Sequence, residues 1–316
     1  MRVVRARLAA HVGRQGALVA LALVCLFAAL RYPQFLTGEN LLNVLRQNSM
    51  PGLVALGMTF VILTGGIDLS VGSLLAVAGV VAANLAGRGT LLAVATAVAV
   101  TTLLGLANGL VIAKGRIQPF VVTLVMMIAA RGLALAATGE QSIRVSSLSA
   151  GFSELGRGRI GFVPVPVLIL VIAFVLGWVV LRYTRFGRHV YALGDNEEAA
   201  RLMGLNVGRV VLGVYAVSGA LAGLAGVILA SRLGAGQPVA GAGWELDAIA
   251  AVVVGGTLLT GGRGGVGSTL IGVLLLGVIF NLFNLEGTIS PWWQLVLRGL
   301  ILLAVVVIQN RLKGRT

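Results

Sequence analysis

Long apolar runs, separated by short polar or glycine-rich stretches, follow one another along the whole chain. Ten stand out, at 16–30, 50–64, 70–86, 91–113, 120–138, 163–181, 210–231, 248–260, 268–285 and 293–309. A helix needs about 20 apolar residues to cross the ~30 Å hydrocarbon layer of a bilayer, and most of these runs approach or reach that length. The pattern predicts an all-α integral membrane protein of about ten transmembrane helices, forming a single domain over residues 1–316. Runs 50–64 and 248–260 are short, and each ends in a glycine pair, so they are expected to be tilted, broken or part-way spans. Four arginines before the first run give it the look of a signal peptide, but bulky Leu30, Arg31, Tyr32 and Pro33 follow where small residues belong. It reads better as a retained first span.

One polar interruption is long enough to hold structure of its own: residues 184–209, TRFGRHVYALGDNEEAARLMGLNVGR. Asp195 followed three residues later by Glu198 makes a capping box that starts a helix at Asn196. Gly204 supplies the left-handed residue that ends it. Within those two turns Ala199, Leu202 and Met203 form a small apolar face beside Glu197, Glu198, Ala200 and Arg201. So short an amphipathic helix needs something to dock against.

Composition agrees with the membrane reading. Apolar residues make up 58% of the chain and charged residues 11%, against about 45–50% and 25% in soluble domains. The net charge of +14 would suggest nucleic acid in a soluble protein, yet no basic groove interleaved with aromatics is present. Lys and Arg instead distribute unevenly between alternate sides. With the N-terminus inside, fifteen lie on the inner side and seven on the outer. That asymmetry predicts cytoplasmic termini, a cytoplasmic 184–209 loop, and Trp292 and Trp293 at the outer interface. The only cysteine, Cys25, sits inside an apolar run and reads as a packing residue.

An internal echo joins distant parts of the chain. Leu63-Thr64-Gly65-Gly66 followed by Val71-Gly72-Ser73 recurs as Leu259-Thr260-Gly261-Gly262 followed by Val266-Gly267-Ser268. Six spans separate the two, so both turns are expected on one membrane side, whether or not they mark a structural repeat. Between the first pair of elements lies Asp68, the acidic residue most enclosed by apolar sequence. It reads as a helix cap at the cytoplasmic border, together with Ser70, or as an ionisable group at membrane depth serving a proton relay or polar substrate path. The flanking glycines favour the cap. Trp244, Glu245 and Asp247 at the outer start of run 248–260 suit a sugar-like ligand, although the acids are also ordinary first-turn residues. Small residues four apart, Gly105 with Gly109 and Gly219 with Gly223, predict close helix packing.

Several chemistries are excluded. The stretch 262–267 formally matches G-x-G-x-x-G, but an apolar membrane run follows it where a nucleotide fold is needed. Neither lysine, Lys114 or Lys313, belongs to a phosphate-binding loop, so the chain has no such device for ATP. His11 and His189 have no motif partners, and no catalytic residue or metal ligand set is expected.

Four stretches, MTFVILTGGIDLSVGS at 58–73, TLVMMIAARGLA at 123–134, TRFGRHVYALGDNEEAARLMGLNV at 184–207 and ELDAIAAVVVGGTLLTGG at 245–262, together resemble the permease subunits of bacterial ABC importers for ribose, xylose, galactofuranose and related sugars. The resemblance covers about 32–310, and LEGTISPWW at 285–293 is similar to the galactofuranose branch. It implies a bacterial inner-membrane permease with no cofactor of its own, ATP and Mg being held by a cytoplasmic ATPase subunit. It also implies a second permease subunit and an extracytoplasmic sugar-binding protein. Glu198-Ala199-Ala200 with Gly204 is similar to the EAA-x3-G pattern of importer permeases, which makes 195–204 the ATPase-coupling segment. An amino-acid or other small polar solute permease, or a proton-coupled transporter using Asp68, are the competing readings.

Overall fold

The computed structural model describes residues 2–145 and 150–287, with positions 290, 292–294, 296–297, 299–300, 303 and 307 beyond them. The tenth apolar run, 293–309, therefore lies mostly outside the described residues. In chain order the helices are α1 (Arg2–Arg31), α2 (Gly38–Leu63), α3 (Val71–Leu85), α4 (Thr90–Gly115), α5 (Pro119–Thr138), α6 (Ala150–Arg157), α7 (Val165–Tyr183), α8 (Arg185–Asp195), α9 (Glu197–Leu202), α10 (Val207–Leu233), α11 (Trp244–Val254) and α12 (Val266–Glu286). Four two-residue strands, β1 (Ile143–Arg144), β2 (Arg159–Ile160), β3 (Val163–Pro164) and β4 (Ala235–Gly236), form two small antiparallel pairs, β1 with β4 and β2 with β3.

Among the described residues, six helices are long and apolar enough to cross a membrane: α3 with the short turn after it, α4, α5, α7, α10 and α12. The chain is a multi-pass, predominantly helical membrane protein. Run 50–64 continues a longer helix. It is the buried half of α2, whose 26 residues measure about 39 Å, and the polar half carrying Asn43, Arg46 and Asn48 hid that continuity in the sequence. Run 248–260 is broken as expected. Its helix, α11, has 11 residues, about 16 Å or half the hydrocarbon thickness.

Helix α10 is the centre of the bundle and packs along α2, α3 and α4. The predicted small-residue motifs face each other there. A side-chain carbon at Gly105 would collide with the Tyr215 carbonyl and stand 3.3 Å from the Cα of Gly219. One at Gly219 would likewise stand 3.3 Å from the Cα of Gly105 and collide with the Thr101 carbonyl. The two backbones touch, which maximises dispersion contact where lipid supplies no hydrophobic driving force.

The echoed turns also meet. The amide of Gly262 donates to the carbonyl of Leu63 at 3.0 Å, so both turns lie at one end of the bundle, as their parity requires. Their local roles differ from the sequence match. Helix α2 is closed by Gly65 in the left-handed region (φ 79°), with Gly66 N–H reaching back to Val61 O at 3.1 Å. Its geometric equivalent closing α11 is Gly256 (φ 104°), with Thr257 N–H bonded to Val252 O at 3.1 Å. The second copy therefore inserts a further loop, carrying Gly261 and Gly262, before α12.

Candidate functional site

The 184–209 interruption is three capped helices in series. Thr184 Oγ1 accepts the N–H of Gly187 at 3.1 Å and starts α8, whose Gly187, Val190 and Leu193 are buried along one face. The next cap is Asn196, one residue later than the sequence reading placed it. Its Oδ1 accepts from Ala199 N–H at 2.9 Å, while Asp195 belongs to the last turn of α8. Continuing α8 through Asp195 is possible because Asn196 adopts the extended backbone a cap needs (φ −160°, ψ 107°). Asn206 Oδ1 accepts from Arg209 N–H at 3.1 Å and starts α10.

Helix α9 leaves most of its surface exposed. Gly204 (φ 82°) closes it, with Gly204 N–H to Arg201 O and Leu205 N–H to Ala200 O, both 3.0 Å. Ala200 points into the protein and is buried. Ala199 is exposed, and Leu202 and Met203 remain 84% and 75% exposed. Burying one such side chain is worth about 1.5–3 kcal/mol, so a partner covering both gains considerably from few residues. Glu197 and Arg201 pair at 2.8 Å across one turn, both exposed, which holds their charges in register and adds only about 0.3–0.5 kcal/mol. Glu198 is exposed beside them.

The candidate path residues fall into two groups. Asp68 is fully buried with Ser70. One carboxylate oxygen accepts from the Ser70 N–H at 3.0 Å and Ser70 O–H at 2.5 Å, and the other from Ser218 O–H of α10 at 2.7 Å. Asn108 of α4 donates to Ser70 Oγ at 3.0 Å. Ser70, not Asp68, stands at the helix N-cap position, and Asp68 caps the turn before it. Asp68 is enclosed by protein on every side. Ser218 lies eleven residues into α10, about 16 Å along it, because the chain after Gly66 folds back between helices that provide donors. Ser218 and Asn108 were legible only as lone polar residues in apolar runs.

The second group lies on a segment that returns alongside α3. Gly236 packs against Gly79 and Val80, and Gly241 packs against Gly72, so the chain runs back along α3 by about two turns before α11 starts. Non-helical backbone packed among membrane helices is tolerated only where protein or a cavity satisfies it. Arg131 of α5 does so here, with one guanidinium nitrogen donating to the carbonyls of Pro238 and Ala240, both at 2.7 Å. Arg131 lies within the apolar run 120–138, so its charge is carried among the helices. Glu245 accepts from the Gly243 N–H at 3.2 Å, and its other oxygen overhangs Gly72. Trp244 is half-buried against the core, and Asp247 lies in the same first turn of α11. The structure thus joins Asp68 with Ser70 just before α3, and brings Glu245, in the first turn of α11 with Trp244 and Asp247, against Gly72 of α3.

A family model described as branched-chain amino acid transport system / permease component matches residues 40–306. The ribose import permease protein of Escherichia coli (strain K12) is 45% identical over 306 residues, spanning 94% of each chain. That of Bacillus subtilis (strain 168) is 45% identical over 298 residues, spanning 94% of this chain and 92% of the relative. The L-arabinose transport system permease protein of Escherichia coli (strain K12) is 40% identical over 295 residues, spanning 92% and 89%. No solved structure matches the chain significantly. With matches of this extent at both levels, the chain belongs to the branched-chain amino acid transport system / permease component family of ABC importer permeases.

Proposed function

We propose that the chain is the membrane-spanning subunit of an ATP-driven importer for a pentose, ribose first, set in the bacterial inner membrane with both termini cytoplasmic. As a non-catalytic subunit it relies on a partner for ATP hydrolysis. The observation that carries the coupling half is α9: a capped helix tied down through buried Ala200, with Ala199, Leu202 and Met203 facing outward. A cytoplasmic ATPase would bury that face in a groove, and Glu197, Glu198 and Arg201 would set its register. Closure of the ATPase pair then shifts α9 as a lever between α8 and α10. Because α10 packs on α2, α3 and α4, its displacement repacks the bundle and alternates access to the path.

A second permease subunit completes the path, and an extracytoplasmic binding protein delivers the sugar. Trp244, Glu245 and Asp247, at the start of a half-length helix inside the bundle, are the proposed sugar contacts. An indole offers an apolar face and the carboxylates accept hydroxyl donors. The 45% identity to ribose permeases supports a pentose over the galactofuranose reading of 285–293. The family's own description favours one other reading, a branched-chain amino acid as cargo. The test is uptake into liposomes holding the chain with a ribose-type ATPase and binding protein. ATP-dependent ribose entry, displaced by excess arabinose but not leucine, is expected; leucine entry without sugar entry would transfer the chain to the amino-acid reading.

A further inference from the structure

The last turn of α8 carries a glycine, Gly194, with no room for a side chain. A Cβ at Gly194 would collide with the carbonyl oxygen of Leu63 and stand 2.5 Å from the nitrogen of Gly262, the two atoms that bond each other at 3.0 Å. From the opposite side, a Cβ at Gly262 would stand 2.9 Å from the N and Cα of Asp195, and one at Gly261 would stand 2.8 Å from the nitrogen of Gly65 and 3.0 Å from the Cα of Gly194. Three backbones therefore meet with nothing between them: the end of α8, the turn after α2, and the loop before α12. Gly194 itself does not have a positive φ, so space and not backbone conformation demands glycine there. One turn earlier, Tyr191 O–H donates to the carbonyl of Gly264 at 3.1 Å, a second tie between α8 and the loop before α12. Burial pushes the Tyr191 phenol up, so it remains a protonated donor at neutral pH.

Each backbone leads somewhere different. The turn after α2 continues through Asp68 and Ser70 into α3, the loop at 261–262 continues into α12, and α8 continues into α9. Backbone-on-backbone contact leaves no flexible side chain to absorb a displacement, and close-packed protein transmits strain. We propose that the Gly194 junction is where movement of the docking helix enters the bundle: the two glycine turns travel with α8 as one rigid block. Displacement then reaches α3 and α12 directly, besides α7 and α10 to which the loop is covalently joined. Gly194 is a positioning residue in this scheme, and the scheme rests on the reading of α9 as the ATPase-docking helix.

The experiment uses the full complex in liposomes, with Cys25 replaced by Ala. Gly194→Ala should lower sugar uptake at least tenfold per assembled complex and remove the stimulation of ATP hydrolysis by sugar. In a second variant, Thr64→Cys with Thr260→Cys, joining the two turns with a short bismaleimide should leave uptake within twofold of the unlinked protein, since turns that move together need not separate. That arm decides the matter even where Gly194→Ala fails to assemble. Ala199→Glu in the same liposomes separates the two levels: if it preserves sugar-stimulated hydrolysis, the docking reading itself is wrong. If Ala199→Glu abolishes stimulation while Gly194→Ala transports normally, or while the cross-link stops transport, the junction proposal is overturned.

Discussion

Ser218 Oγ on α10 donates to Asp68 Oδ2 at 2.7 Å, tying the turn after α2 to the interior of the central helix. Both residues are buried, so neither can exchange its partner for water. A hydrogen bond to a charged group is worth about 1.5–3 kcal/mol, and Ser218→Ala should destabilise the detergent-solubilised protein by that amount in thermal unfolding. Asp68→Asn should cost less, because the amide keeps an acceptor for Ser70 and offers a donor to Ser218 Oγ. Asp68→Asn is further expected to retain ATP-driven uptake, and a protonophore to leave uptake unaffected. Loss of uptake in an assembled Asp68→Asn complex would instead assign the carboxyl a proton-carrying role.

The contact of α4 with α10 depends on hydrogen atoms where side chains would stand. Gly219→Val places branched carbons against the Thr101 carbonyl and the Cα of Gly105, within 3.3 Å of the latter. Overpacking of this kind costs about 1–3 kcal/mol or more. The expected outcome is a lower melting temperature and less folded protein in the membrane, read by fluorescence-detected gel filtration.

Helix α9 has six residues and is held by its ends. Asn196→Ala removes the cap on Ala199 N–H and should weaken the helix by about 1 kcal/mol. Gly204→Ala forces a side chain into the left-handed region and should cost a further ~1–2 kcal/mol. Membrane insertion should be unchanged in both variants. Titration of the ATPase subunit onto the purified permease should show weaker binding in each, and weaker still in the double variant.

Arg131 bonds the carbonyls of Pro238 and Ala240, so Arg131→Leu leaves two backbone acceptors unsatisfied beside α11. The segment 234–243 should loosen, raising the alkylation rate of a cysteine placed at exposed Val239 at least several-fold. Sugar uptake should fall with it, because Trp244 and Glu245 follow directly.

Much of this architecture is written in local pattern. Apolar runs located the helices because the bilayer demands length, and Gly105 and Gly219 announced close packing because only small residues permit it. Gly204 was readable because a left-handed terminus selects glycine. The cap one residue later at Asn196 was not, since Asp195 and Asn196 have similar capping propensity and the choice depends on how far α8 continues. Helix α8 itself left a legible trace in Gly187, Val190 and Leu193, three residues apart. The partners of Asp68 and the meeting of Gly194 with Leu63 and Gly262 arise from residues far apart in sequence. Long-range pairing of single polar or glycine positions leaves no periodicity to read.

If α9 is the handle through which ATP hydrolysis moves this permease, Ala199→Glu should disconnect the two. The substitution puts a charge at the centre of the exposed apolar face while leaving the cap and the buried Ala200 untouched. In liposomes containing the ATPase and the sugar-loaded binding protein, the variant should be normally inserted and show no sugar-stimulated ATP hydrolysis. Stimulation equal to that of the unaltered protein would contradict this role of α9.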